Sequence, residues 1–252
     1  MNQDKAGKNY WEDVWNKKDL ISKIDVNYYT KKLLHGLYNK YFQRDDTKSI
    51  CEIGCAMSQN LLYFNDYFGY QINGFDYEEK SSIKTKKIYQ AMGYNANIYH
   101  HDFFNINQIE QYDILSSFGV FEHFENLDEA IKITKRYLKD KGMILTVIPN
   151  MNGIVGILQK KLNKKVYDIH IPYTKYDILN AHENSGYKTL YCGYYGIYQA
   201  GVVNINGIDK EQMIRKILAI PGKPLYYISK LFNMKLDSKF NSPYIVYIGK
   251  KS

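Results

Sequence analysis

The stretch Lys48-Ser-Ile-Cys-Glu-Ile-Gly54-Cys-Ala-Met-Ser58 decides how the rest of the chain is read. It starts as a short apolar strand and breaks at Gly54, where the missing Cβ permits a tight turn against a ligand. Ser58 then offers an N-cap to Gln59-Asn-Leu-Leu-Tyr-Phe64, whose apolar residues suit one face of a helix. A strand, a tight turn and a helix in that order open an α/β sheet.

The pattern repeats outward from this unit. Residues 70–75 predict a second strand ending at Asp76, and 78–92 a polar, lysine-rich helix stopped at Gly93. A third strand spans 95–99 and ends before Asp102; a fourth spans 112–118. Residues 127–138 predict an amphipathic helix, and 142–148 a fifth strand stopped by Pro149. Strands and helices alternating at this spacing imply parallel βαβ units in a doubly wound sheet. Beyond Pro149 the pattern loosens: a loop or broken helix over 151–172, a helix over 174–184 and a sixth strand over 187–192. Two helical pieces, 209–219 and 224–233, are separated by Pro221-Gly222, and 244–248 predicts a closing edge strand. The first 45 residues read as a helical cover. With no repeat or low-complexity linker, the expectation is one domain over 1–252: a cover (1–48), a core (49–150), and a lid with the final strands (151–252).

Composition narrows the class. At 45% hydrophobic the chain is not disordered, and no apolar run approaches the ~20 residues of a membrane span. The first residues lack the apolar segment of a secretory signal. Cys51, Cys55 and Cys192 form no disulfide framework and suit a reducing compartment, which predicts a cytoplasmic protein with core and loop thiols. Lysine outnumbers arginine 31 to 3, which argues against nucleic-acid binding, where arginine makes the bidentate contacts. Net charge divides unevenly: −4 over residues 49–150, +12 over the remainder.

In an open parallel sheet, ligands bind outside the carboxyl ends of the strands. Those ends carry Glu52-Ile-Gly54-Cys-Ala56, Asp76, Asp102-Phe103 and Phe118-Gly-Val-Phe-Glu-His123. Asp76 lies 22 residues after Gly54 and is placed to accept hydrogen bonds from a ribose diol. Asp102 offers an acceptor for an adenine amine, and Phe103 an apolar wall.

In order and spacing these motifs resemble those of class I S-adenosylmethionine-dependent methyltransferases. The resemblance implies a Rossmann-like, doubly wound sheet of seven strands with the last antiparallel, an N-terminal helical cover and C-terminal lid insertions. It implies S-adenosylmethionine as cofactor, released as S-adenosylhomocysteine. Gly54 and its loop, with Glu52, Cys55 and Ala56, would contact the methionyl part and Asp76 the ribose. Asp102, Phe103 and Tyr77 would surround the adenine, and Phe118 would sit beside the methionyl group. One departure stands out: Ala56 and Ser58 occupy positions where the family's loop carries its second and third glycines, so a different loop path is expected. The same departure argues against a nicotinamide enzyme, and no Gly-Lys-Ser/Thr is present to make a P-loop.

A hydroxyl acceptor benefits from a general base near neutral pH. His123, just past the fourth strand, and His170, in the lid segment Asp168-Ile-His-Ile-Pro172, are the candidates. Either could instead hold a loop by hydrogen bonds. Locally the chain is similar to quinone-pathway O-methyltransferases, whose Glu-x-x-Glu-His holds a divalent metal. Gly119 replaces the first ligand here, so no metal site is expected. The lid is similar to methyltransferases that modify bacterial surface polysaccharides or their precursors. The expected function is O-methylation of a small anionic acceptor, such as a sugar or phosphate-type group. The alternatives are an N-methyltransferase and a non-catalytic binding protein of the same fold. Residues 211–232 mix cations with apolar positions; their break at Pro221-Gly222 suggests a lid or a homodimer contact rather than stable membrane insertion.

Overall fold

The structure, a computed structural model, describes residues 4–105, 111–234 and 237–252. Its seven strands are β1 (Ser49–Ile53), β2 (Gln71–Asp76), β3 (Ala96–His100), β4 (Tyr112–Phe118), β5 (Leu138–Pro149), β6 (Tyr187–Tyr195) and β7 (Tyr244–Lys251). They form one sheet in the order β3-β2-β1-β4-β5-β7-β6. The pairs β3-β2, β2-β1, β1-β4 and β4-β5 are parallel; β7 runs antiparallel to both neighbours. The chain therefore winds outward one way through β1, β2 and β3, then returns and winds the other way from β4. The switch lies between β1 and β4, where a doubly wound sheet leaves a crevice.

The expected sheet is present, with one correction. The 244–248 segment is not an edge strand: β7 inserts between β5 and β6, and β6 forms the edge. Its residues 245–248 (Ile-Val-Tyr-Ile) are an unbroken apolar run and all are fully buried, as a strand covered on both faces requires.

The helices are α1 (Lys8–Asn16), α2 (Tyr29–Tyr41), α3 (Asn60–Phe68), α4 (Glu79–Ala91), α5 (Leu127–Thr134), α6 (Ile154–Leu162), α7 (Lys164–Asp168), α8 (Lys175–Asn184), α9 (Glu211–Ala219) and α10 (Gly222–Leu231). Their starts follow local chemistry. The Glu78 side chain accepts the Lys80 and Ser81 amide hydrogens at the head of α4. Thr174 and Asp177 close a reciprocal capping box on α8. The expected 127–138 helix is shorter: it yields to a 3₁₀ turn at Lys135–Tyr137, and β5 begins at Leu138. The loop or broken helix expected over 151–172 contains α6 and α7. Two buried apolar clusters flank the sheet. One joins α2 and α3 to β1 and β2 around Leu37, Tyr38, Leu61 and Phe64; the other joins α5 and α8 to β4, β5 and β7 around Leu115, Ile131, Ile178 and Tyr247. Met213, Ile217, Ile220, Leu231 and Phe232 leave an exposed apolar face on and beside α9 and α10. Among the described residues no helix is long and apolar enough to cross a membrane.

Candidate active site

At the carboxyl ends of β1, β2 and β4 lies a cavity of about 490 Å³. Gly54 forms its floor, with φ +69°, and its amide donates to the Phe75 carbonyl at 2.9 Å. A Cβ there would lie 2.6 Å from Val120 Cγ2, so glycine is required both for the turn and for the close approach of the two loops.

The two replaced glycines have physical roles. Ser58 donates to the buried Glu52 carboxyl at 2.8 Å, and its hydroxyl oxygen accepts the Asn60 amide hydrogen at 3.0 Å at the head of α3. Burial is the main influence on Glu52 and pushes its pKa up to about 8. Met57 is a second left-handed residue of the loop, at φ +51°. Its amide donates to Thr85 Oγ1 at 2.8 Å, and its side chain is buried in the core. Packing and a hydrogen bond thus hold a conformation usually left to glycine.

Asp76 lines the cavity from the end of β2. Its Oδ2 accepts the Ala56 amide hydrogen at 3.2 Å and its Oδ1 the Glu78 amide hydrogen at 2.9 Å. Each oxygen keeps a further lone pair for a ligand. Burial raises its pKa to about 6, against the pull of these two amide donors. Tyr77, Asp102 and Phe103 line the same wall. Asp102 caps the turn after β3 by accepting the Phe104 amide hydrogen at 3.0 Å, and the Phe103 ring packs against Phe104 with centroids 4.1 Å apart. Phe118 borders the cavity at the end of β4. Of the residues expected at the cofactor, Glu52, Gly54, Ala56, Asp76, Tyr77, Asp102, Phe103 and Phe118 all line the cavity. Cys55 does not: its side chain packs into the core against Gly74.

The 3₁₀ turn Phe121–His123 follows β4 and brings His123 to the cavity wall. His123 Nδ1 donates to the Ile169 carbonyl at 2.9 Å, and burial holds its pKa below the ordinary value. The His170 ring lies beside it, centroids 4.6 Å apart, outside the cavity lining. Burial foremost, and His123 next, hold His170 down at about 4. Both imidazoles are therefore neutral near pH 7. Lys160, Lys161, Lys164 and Lys165, which precede His170 in the chain, do not line the cavity. Lys164 pairs with Asp168 at 2.6 Å, and Lys160 sits over the Tyr167 ring.

The cover supplies residues the sequence reading did not single out. Asp4 Oδ2 accepts the Tyr77 hydroxyl hydrogen and the Trp11 indole N–H, both at 2.7 Å. The Lys5 amide donates to the His123 carbonyl at 3.0 Å. Trp11, Trp15, Lys8 and Lys18 also line the cavity, and Lys18 donates to the Met57 carbonyl at 3.2 Å. A signal was available: the only two tryptophans of the chain stand four apart on one short polar helix.

A family model described as a methyltransferase domain matches residues 26–189. The chain belongs to the methyltransferase-domain family. The match runs from the second cover helix through the sheet core and lid to the start of β6. Sequence comparison with curated proteins gives no match. Among solved structures, a putative sarcosine dimethylglycine methyltransferase from Galdieria sulphuraria superposes with TM-score 0.61 at 13% identity, over 97% of this chain and 98% of that one. A SAM-dependent methyltransferase from Archaeoglobus fulgidus gives 0.55 at 15% identity, covering 90% and 95%. Geranyl diphosphate C-methyltransferase from Streptomyces coelicolor, solved with Mg²⁺, geranyl diphosphate and S-adenosylhomocysteine, gives 0.59 at 8% identity, covering 88% and 78%. At these identities the likeness is one of fold.

Proposed function

We propose that this chain is an S-adenosylmethionine-dependent methyltransferase acting on an oxygen of a small anionic acceptor. The observation that carries the reading is the convergence of the Gly54 turn, the Asp76 carboxylate and the Asp102–Phe103 wall on one cavity at the sheet's switch point. The cofactor supplies a sulfonium methyl group for in-line displacement by a nucleophile.

The residues present suit that ligand. Asp76 has free acceptor capacity, is held by two amides, and would take the ribose hydroxyls. Phe103 and Tyr77 offer surfaces for the adenine beside the acceptor Asp102. Gly54 leaves room for the methionyl chain, and Phe118 borders it. Lys18, tied to the loop at Met57, is the cation for the methionyl carboxylate. Transfer needs little covalent chemistry from the protein beyond orientation and exclusion of water. Trp11 and Trp15 cover the cavity and serve the second need.

On the acceptor side, His123 can take a hydroxyl proton: its Nδ1–H is held by Ile169, which leaves the lone pair on Nε2. His170 beside it completes the pair. Lys8 in the wall, with the +12 of the segments outside 49–150, favours a negatively charged acceptor. A sugar or phosphate-type group of a polysaccharide precursor is the class we favour, supported by the similarity of the lid. The test is incubation with methyl-labelled cofactor and fractionated extract or nucleotide-sugar mixtures, scored for a product heavier by one methylene. His123→Ala should lower turnover by about 10²–10⁴-fold and leave cofactor affinity intact. Cofactor binding without any transferred label would favour the non-catalytic alternative.

A further inference from the structure

We propose that Glu122, His123 and His170 form a divalent-metal site between the turn after β4 and the lid, of the type that zinc fills. One ligand atom from each of these three residues lies within 4.8 Å of the others. Two imidazoles and a carboxylate are a donor set that zinc takes in sites with an open fourth position.

The hydrogen bonds around the three side chains favour this reading. His123 Nδ1 faces the Ile169 carbonyl at 2.9 Å and His170 Nδ1 the Val166 carbonyl at 2.6 Å. A carbonyl only accepts, so each ring carries its hydrogen on Nδ1 and presents a lone pair at Nε2. Metal-binding histidines are commonly fixed this way, through the ring nitrogen that does not ligate. Glu122 is almost wholly buried, and its Oε2 has no hydrogen-bond partner. Its Oε1 is 3.8 Å from His123 Nε2, too far for a hydrogen bond. A buried carboxyl oxygen without a partner is costly unless an ion or donor meets it.

The three are also held together by the backbone. The Ile171 amide donates to the Glu122 carbonyl at 2.7 Å, which joins the His170 segment to the turn. Two ligands of a tetrahedral zinc ion at ~2.1 Å lie about 3.4 Å apart, so the three side chains must close on the ion by rotation from separations of up to 4.8 Å. The local Glu122-His123 motif alone supplies too few ligands to mark a metal site. His170 comes from the lid and is brought there only by folding.

This inference rests on the methyl-transfer reading for one consequence only. With an ion on Nε2, His123 has no lone pair left to act as a base. The ion would then take over the activation of an acceptor hydroxyl by lowering its pKa.

The test begins with chelator-stripped full-length protein titrated with ZnCl₂, MnCl₂ and MgCl₂ in separate calorimetric and thermal-melt experiments, without cofactor. Wild type should bind about one zinc ion per chain with a raised melting temperature, as a ligand selective for the folded state requires. Glu122→Gln and His170→Gln should each weaken binding at least about 10-fold, the lower end for disrupted metal sites. His35→Gln, remote from the cluster, should not change it. Should Glu122→Gln fail to fold, His170→Gln decides, since that side chain is only partly buried. Cobalt binding gives a second readout, a visible absorption band lost in His170→Gln. No uptake of any of the three ions, or zinc uptake unchanged in His170→Gln, overturns the proposal. Cofactor binding is measured separately. S-adenosylhomocysteine binding without metal uptake would leave the methyltransferase reading standing with His123 as base. Metal uptake without cofactor binding would do the reverse.

Discussion

Ser58 reaches back across the β1–α3 loop to donate its hydroxyl hydrogen to Glu52 at 2.8 Å, so the residue replacing a glycine also partners the buried carboxyl at the strand end. Glu52 has an ordinary pKa of 4.5 and rises to about 8 in the fold, chiefly through burial. Between those values the folded chain holds a proton that the unfolded chain releases. Its contribution is therefore full below pH 4.5 and is lost as pH rises toward 8. His170 and His182, held at about 4 and about 3 by burial, act in the opposite sense, but only below their ordinary pKa of 6.5. From pH 6.5 to 8 the melting temperature of wild type should therefore fall. Glu52→Gln keeps an acceptor for Ser58 and should lessen that fall, leaving the share of Glu122, which burial also raises to about 8. At pH 8 the variant should melt higher than wild type, by roughly 2–4 °C for each kcal/mol recovered. Parallel melting profiles for the two proteins would contradict the burial argument.

Gly54→Ala combines two penalties: a left-handed φ and a Cβ driven against Val120. Together these should destabilise the protein by roughly 1–3 kcal/mol. Adding Val120→Ala removes the close methyl and should return part of the stability, but not the part set by φ. Chemical denaturation of the single and double variants measures both. A Gly54→Ala protein as stable as wild type would mean the β1 turn differs from that described.

Lys18 tests the assignment of the cofactor's polar end. Losing a charge-assisted hydrogen bond costs about 1.5–3 kcal/mol, so Lys18→Met should weaken S-adenosylhomocysteine binding by at least about 10-fold. Calorimetry reads the change directly. Unchanged affinity would move the methionyl carboxylate elsewhere.

The lysines also bear on the acceptor. Attraction between charges is screened beyond a Debye length of about 10 Å at 0.1 M salt, so added salt should raise the acceptor's KM. Lys8→Gln should mimic that effect. The exchange of Lys160, Lys161, Lys164 and Lys165 for Gln should matter less, because none of them lines the cavity. A KM flat across salt would favour a neutral acceptor.

The sheet and the cofactor-side wall were legible because each rests on local pattern. Apolar runs ending at Gly54, Asp76 and Asp102 mark strand ends, and strand ends in parallel sheets converge. Residues whose role depends on the meeting of distant segments were not legible. Asp4 and Trp11 reach the site only because the cover folds over Tyr77, and His170 reaches Glu122 only through the lid. Cys55 shows the converse. It follows Gly54 in the motif, yet its side chain turns into the core toward Gly74. The interior place of β7 was written in its unbroken apolar run, which an edge strand would not need.

The most direct test of the account is calorimetric titration of the purified chain with S-adenosylmethionine and S-adenosylhomocysteine, beside Asp76→Ala. Both ligands should bind wild type at one site. The variant should lose about 1–3 kcal/mol for each, as the loss of buried hydrogen bonds to a charged acceptor requires. Wild type that binds neither ligand, or Asp76→Ala that binds both as wild type does, would contradict it.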